Sequence, residues 1–248
     1  MAEGASSINV FDDMGVYWAE IADKDQTNRQ IRFLKNQLQP GVRVLDLACG
    51  TGRHSIPLSR EGYGMVGVDA SPKLLRIAKQ RYGSLDVVLG DMRFLPFKAE
   101  AFGAVVNVDT SLGYLPSLAD DNKSLSEARR VVRLDGVLVV DVFNREELKS
   151  KYHGETKVTK WLEYPSFRLR QRRSVSADGG RLSDFWVVQP RAGGEAVCFE
   201  HSVRLYGEEE LKGLVENAGF VVVCVFGDYE RQDFSSMTSR LIMIAKAK

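Results

Sequence analysis

The 248-residue sequence predicts an α/β fold in which a parallel sheet carries an inserted antiparallel meander. Three observations predict it. Between Val42 and Phe143, short apolar runs alternate with segments of helical period, which calls for parallel strands joined by crossover helices. The first run, Val44-Leu45-Asp46-Leu47-Ala48-Cys49-Gly50-Thr51-Gly52-Arg53, ends in a glycine turn that opens a helix, as ligand sites of open sheets do. From about residue 155 to 206 the helical period is absent, and turn residues cut the chain into extended segments.

Each element has a local cause. A first helix is expected over Asp12 to Ile21, after small polar residues 1 to about 10 that read as frayed. A second starts at Thr27, with Gln30 completing a capping box; Ile31, Leu34 and Leu38 recur at helical spacing until Pro40-Gly41. Val42–Ala48 reads as a buried strand and Arg53–Glu61 as a helix. Gly64–Asp69 is the next strand, before a helix with Ser71 as N-cap, Pro72 at its first position and Gly83 past its end. Leu85–Leu89, Ala104–Asp109 and Gly136–Phe143 continue the strands, with a helix near Leu118–Arg133. The meander segments are Lys157–Tyr164, Phe167–Ala177, Leu182–Gln189 and Ala196–Tyr206, parted by Pro165-Ser166, by Asp178-Gly179-Gly180 and by 190–194. Glu208–Ala218 is a helix, and Phe220–Phe226 and Ser239–Ala247 are the last strands. The implied division is a helical lid over 1–40, a cofactor-binding core over 41–150, an inserted sheet over 151–206, and 207–248 completing the core.

Composition excludes several functions. With 44% apolar and 27% charged residues the chain is of ordinary globular balance, and a core near three quarters of the unfolded surface is expected. Net charge is +1 and no basic run is interleaved with aromatics, so nucleic acid is not the expected partner. The N-terminal residues lack the pattern of a signal peptide, and no apolar run is long enough to span a membrane. Cys49, Cys198 and Cys224 form neither a disulfide framework nor a zinc pattern, so no metal and a cytoplasmic setting are expected. Arg168, Arg170 and Arg172 alternate along one segment, as on a solvated strand face.

Three acids carry the functional reading. Ser55 stands where a dinucleotide fingerprint would put its third glycine, and Asp46 just before the turn is awkward beside a pyrophosphate. An acid there suits a ligand with positive charge or with hydroxyl and amine donors. Asp69 ends the second strand, where a carboxylate meets ribose hydroxyls. Asp91 follows the third strand in Gly90-Asp91-Met92, placed to accept from an adenine amine with Met92 beside the ring.

The stretches VLDLACGTGRHS, VDAS and GDMRFLPF together resemble the class I S-adenosylmethionine-dependent methyltransferases, over the chain from about residue 11 onward. The resemblance implies a doubly wound, Rossmann-like seven-stranded sheet whose last strand is antiparallel, and S-adenosyl-L-methionine as cofactor. It implies cofactor contacts from Asp46, Ala48, Gly50, Gly52, Asp69 and Ala70, and from Asp91, Met92 and Asn107. Tyr17 on the lid helix and Arg29, toward the cofactor carboxylate, complete the expected set.

Among methyltransferases the sequence is most similar to small-molecule N-methyltransferases, of the glycine and amino-sugar types, through ACGTG, VDAS, TSLGYLP and VFGDY. The expected partner is therefore a small amine acceptor. In the glycine enzymes an arginine precedes the asparagine after strand five; here Phe143 precedes Asn144, which points away from glycine. Tyr114, Asn144, Tyr206 and Tyr229 are the expected acceptor contacts, and no catalytic residue is assigned. His201 reads as an ordinary strand histidine or a general base, and Cys49 as a turn residue. A homodimer is expected because the meander has edges to cover. A non-catalytic cofactor-binding module, a methyltransferase of macromolecules and an NAD-dependent oxidoreductase stand as alternatives.

Overall fold

Two sheets organise the chain in the computed structural model, which describes residues 7–21, 24–152 and 154–248. The chain enters through α1 (Ser7–Ile21) and α2 (Lys24–Gln37), then alternates β1 (Arg43–Leu47), α3 (Ser55–Arg60), β2 (Gly64–Asp69), α4 (Pro72–Arg81) and β3 (Asp86–Leu89). It continues with β4 (Phe102–Asn107), α5 (Leu118–Val131), β5 (Val132–Phe143) and α6 (Arg145–Tyr152). The meander follows as β6 (Lys157–Val158), β7 (Leu162–Glu163), β8 (Phe167–Val175), β9 (Arg181–Pro190) and β10 (Val197–Arg204). Helix α7 (Glu208–Asn217) and strands β11 (Phe220–Phe226) and β12 (Arg240–Ala247) close the chain.

The first sheet has seven strands in the order β11-β12-β5-β4-β1-β2-β3, with β12 antiparallel to both neighbours. The chain runs outward from β1 to β3 and then restarts at β4 on the other side of β1. That reversal opens a crevice at the carboxyl ends of β1 and β4. Alternation along β1 buries both faces: Val44 belongs to the core that holds Phe33, Leu34 and Leu58, and Leu45 to the core on the other face that holds Leu125 and Val131. Each such side chain removed from water contributes about 1.5–3 kcal/mol.

The second sheet is antiparallel, in the order β10-β9-β8-β6, with β7 also pairing β8. Its inner face packs Phe167, Leu169, Trp186, Val188 and Phe199 against Met14 of α1. Toward α6, Val175, Leu182 and Val203 pack with Leu148 and Tyr152. Arg168, Arg170 and Arg172 all stand exposed on the outer face, as their alternation predicts.

Several boundaries differ from expectation for physical reasons. Helix α1 begins at Ser7, and its backbone breaks at Gly15 (φ 28°, ψ −99°); the expected fraying of residues 1–6 lies outside the described residues. Helix α2 begins at Lys24, so Thr27 is not its cap; the Thr27 hydroxyl instead accepts from Arg53 Nη1 at 2.7 Å. Helix α6 was not expected, and Asn144 starts it by accepting the Glu146 N–H at 3.1 Å. The segment Lys157–Tyr164 is two short strands rather than one. Ser71 does cap α4: its hydroxyl accepts the Leu74 N–H at 3.1 Å, and it donates to Asp12 Oδ1 at 2.7 Å, tying α1 to the core.

Candidate functional site

A cleft opens at the carboxyl ends of β1, β2 and β4, the place the strand order dictates. Its floor is the turn Ala48–Thr51, followed by Asp69–Ser71 and Gly90–Met92. The opposite wall is the loop Val108–Ser111 with Tyr114 and Leu115, and Phe11 and Trp18 of α1 form the cover. Ala48 (φ 58°), Asp109 (φ 62°) and Thr110 (φ 62°) all hold the left-handed conformation that side chains disfavour. Such strain persists where surrounding contacts enforce it, and here it sits on both lips of the cleft.

The turn is shaped by its glycines. At Gly52 (φ 73°) a Cβ would come within 2.7 Å of Leu85 Cδ2, so only glycine keeps the turn against α4 and β3. The Asp69 carboxylate accepts the Gly50 N–H at 2.8 Å and the Ser71 N–H at 2.8 Å, which binds the two floor segments together. Burial pushes its carboxyl upward, against these amide bonds. A carboxylate offers about four acceptor sites, so capacity for a ligand's hydroxyls remains.

Asp91 also lines the cleft and is gripped by Arg93, whose Nε lies 3.0 Å and Nη2 2.6 Å from Oδ2. Arg93 reaches on to Asp120 at 2.8 Å, and its hydrogen bond holds the Asp91 carboxyl below the usual range. Asp91 is therefore a charged acceptor of fixed orientation.

Behind the second lip lies a buried network that sequence reasoning missed. Asp109 accepts from Arg53 Nη2 at 2.5 Å and from Gln26 at 3.1 Å, and its own N–H donates to Asp141 Oδ2 at 2.8 Å. Asp141, fully buried, takes the Arg240 Nε–H at 2.7 Å, and Arg240 donates on to the Thr110 hydroxyl at 2.8 Å. Taking such charges out of water is costly unless every partner is present, so the network fixes one geometry for Asp109-Thr110. The sequence reading placed Asp109 at the end of the strand Ala104–Asp109 and gave it no role in the site.

The expected site residues divide accordingly. Ala48, Gly50, Asp69, Ala70, Asp91, Met92 and Tyr114 all line the cleft. Gly52 lies under the turn. Asp46 is a correction: strand alternation turns its side chain to the α3 face, where it is 1% exposed and accepts the Ser55 hydroxyl at 2.5 Å. Burial there pushes its carboxyl up to about 6, with the Ser55 bond acting in the opposite direction. Asn107 is buried beside β1, donating to the Leu47 carbonyl at 3.2 Å. Tyr17 packs edge-on against Phe167 at 5.1 Å, outside the cleft, so it is Phe11 and Trp18 that supply the cover. Arg29 is exposed on α2, away from the lining, whereas Arg53 stands in it.

Three of the four acceptor candidates are also corrected. The fully buried Tyr206 donates to Asp121 Oδ2 at 2.6 Å, and Asp121 in turn accepts the Gly113 N–H at 3.2 Å. It is a strut for the loop that carries Tyr114. Asn144 Nδ2 donates to the carbonyls of Ser235 and Thr238, at 2.9 and 2.7 Å. Tyr229 joins the buried network, donating to Asp141 at 2.5 Å and accepting from Gln30 at 2.8 Å. The two tyrosines were expected there for their phenols and Asn144 for its place after strand five in the resembling enzymes, but all three side chains instead satisfy protein polar groups. Cys49 is buried against Gly67, and burial pushes its thiol well up, as befits a turn residue.

Among the described residues no cluster of three or more His, Cys, Asp or Glu is placed to hold a metal ion, and no helix is long and apolar enough to cross a membrane. The arrangement suits a nucleoside with a charged tail: carboxylates for hydroxyls and amines, Val68, Leu74 and Met92 as an apolar slot, and an aromatic cover.

Comparison with known proteins agrees. A family profile described as a methyltransferase domain matches residues 44–136. The glycine/sarcosine N-methyltransferase of Parasynechococcus marenigrum (strain WH8102) is 38% identical over 224 residues, 83% of this chain and 71% of that protein. Among solved structures, the CcbJ methyltransferase from Streptomyces caelestis superposes with a TM-score of 0.85 at 19% identity, covering 98% of this chain and 99% of that one. CalS10 from Micromonospora echinaspora, an amino pentose methyltransferase solved with S-adenosylmethionine bound, has a TM-score of 0.71 at 19% identity, over 94% and 95% of the two chains.

Proposed function

The chain belongs to the class I S-adenosylmethionine-dependent methyltransferases, and on that premise we propose that it methylates the nitrogen of a small-molecule amine. One observation carries the acceptor reading: Phe11, Trp18 and Tyr114 line the cleft as one aromatic cluster, with the Phe11 ring edge-on to Trp18 at 5.3 Å and to Tyr114 at 4.9 Å. An aromatic enclosure admits an amine in its neutral, nucleophilic form and then stabilises the cation that methylation creates. The 38% identical relative acts, by its name, on glycine and sarcosine, which are amines.

The cleft fits the cofactor on its own chemistry. Asp69 retains acceptor capacity for ribose hydroxyls, Asp91 is held charged for an amine, and Arg53 beside Asp109 offers both signs to an amino-acid tail. Bound there, S-adenosyl-L-methionine supplies a methyl group on a positively charged sulfur. The protein's part is to align the acceptor nitrogen behind that carbon and keep water out. The nitrogen lone pair forms the N–C bond, the C–S pair returns to sulfur, and the ammonium product releases its proton to solvent. No protein nucleophile is needed.

The test is turnover of methyl-labelled cofactor against matched primary amines, alcohols and phenols. Label in amines, with turnover in Phe11→Ala falling at least about tenfold more than affinity for S-adenosylhomocysteine, is the expected outcome. Label appearing only on oxygen acceptors, or a protein that binds cofactor without transferring to any acceptor, defeats the amine assignment.

A further inference from the structure

The inner face of the second sheet carries a polar row that the cofactor cleft does not account for. Arg173 on β8, Asp184 on β9 and His201 on β10 stand in register across three strands. Apolar clusters flank the row on both sides, one around Phe167 and Val188, the other around Leu182 and Val203. Asp184, 2% exposed, is satisfied by Arg173 through bonds of 2.8 and 2.7 Å.

The next residues are not satisfied. His201 is 6% exposed and Trp186 3% exposed, yet neither the imidazole Nε2 nor the indole Nε1 has a hydrogen-bond partner. The two rings meet edge to face with centroids 5.3 Å apart. An unpaired buried polar group costs about 1–3 kcal/mol, and two side by side call for a partner from outside the chain.

This pair adjoins the cleft. The Tyr114 hydroxyl is 3.4 Å from His201 Nδ1, Phe11 lies 5.7 Å from the His201 ring, and Trp18 stacks on Trp186 at 6.1 Å. Tyr114, Phe11 and Trp18 all line the cleft. Burial keeps the His201 ring neutral, and in the tautomer that accepts the Tyr114 phenol at Nδ1 the ring proton sits on Nε2. Both unsatisfied groups are then N–H donors, and what satisfies two donors is an oxygen.

We propose that His201 and Trp186 form the oxygen-recognising half of the acceptor subsite, so that the acceptor is an amine bearing a hydroxyl or carbonyl oxygen near its methylated nitrogen. This rests on the amine reading above. Phe11 and Trp18 cover the subsite, Tyr114 orients His201, and the Arg173–Asp184 pair presents no net charge to the ligand.

Two probes that differ by one hydroxyl test it: trans-2-aminocyclohexanol and cyclohexylamine, each added to the full chain with S-adenosylhomocysteine present. The protein has three tryptophans, and the Trp186 indole N–H resonance is the one lost in Trp186→Phe. That resonance should move downfield and saturate with the amino alcohol and stay in place with cyclohexylamine. In turnover with S-adenosylmethionine, the wild type should favour the amino alcohol at least tenfold in kcat/KM. Trp186→Phe should bring that ratio toward one with cofactor affinity unchanged, and His201→Gln serves if Trp186→Phe does not fold. An indole signal unmoved by the amino alcohol, or moved equally by both probes, overturns the subsite. Nitrogen methylation with an unmoved indole leaves the amine reading standing and removes only the subsite; a moved indole without nitrogen methylation does the reverse.

Discussion

At the carboxyl edge of the seven-stranded sheet, the groups facing the cleft come from turns of a few residues each: Ala48–Thr51, Asp69–Ser71, Gly90–Met92. On the inner face of the five-stranded sheet, the polar groups come from three strands and are completed by Tyr114, 87 residues from His201. The first region recognises through backbone geometry that only certain residues permit. The second, as the proposed subsite, would recognise through side chains that any strand of suitable alternation can carry. One half of the molecule is thus constrained in conformation and the other in composition, and changes of acceptor are accessible in the second without disturbing the first.

The largest effect should come from removing Asp69. It ties the Gly50 and Ser71 amides together and has acceptor capacity left for ribose, so Asp69→Ala loses at least two bonds to a charged acceptor, each about 1.5–3 kcal/mol. Calorimetry with S-adenosylhomocysteine should show affinity down more than about 100-fold. An unchanged affinity would break the contrast at its base.

Next in size is a pH effect at Asp46. The folded carboxyl sits at about 6 against an ordinary 3.8, so through that window the native state holds a proton that the unfolded chain releases. Stability from this group is therefore complete below about 3.8 and declines as pH rises toward 6, by on the order of 3 kcal/mol. Asp46→Asn keeps the shape and abolishes the titration. Urea unfolding of both proteins between pH 4 and 7 should show the wild type losing ground to the variant as pH rises; parallel curves would mean that Asp46 is not held neutral.

Tyr206→Phe sharpens the comparison from the other side. It deprives Asp121 of one donor and should cost about 1–3 kcal/mol of stability, read as an earlier melt, while cofactor affinity stays as it was. A selective loss of acceptor turnover with an unchanged melt would return Tyr206 to the acceptor site. The smallest change is expected at Arg170→Ser on the outer face of β8, which should alter stability by less than about 0.5 kcal/mol and leave turnover intact.

The same contrast explains what could be read in advance. Strand and helix periods, the Ser71 cap and the acids Asp69 and Asp91 at the ends of the second and third strands are local signals, and the parallel core and several cleft-lining residues followed from them. Asp46 misled because a one-residue position within a strand decides which face a side chain takes, and the acid was judged by its distance from the turn. Tyr206 and Tyr229 misled because a phenol near a site looks the same in sequence whether it meets a ligand or a buried aspartate. The Arg173–Asp184–His201 row depends on the register of three strands, and the Asp109–Asp141–Arg240 network spans more than 130 residues of chain. Neither has a short-range signature.

Helix α1 has one more consequence. Asp12 fastens it to α4 through Ser71, Glu20 fastens it to the second sheet through Ser166 at 2.6 Å, and its backbone breaks between them at Gly15. Phe11 and Trp18 lie on either side of that break and roof the cleft. In kinetic language, the two ligands share one door. With the acceptor placed as proposed above, Glu20→Ala, which removes the bonds to Ser166, is expected to change the release rates of both together.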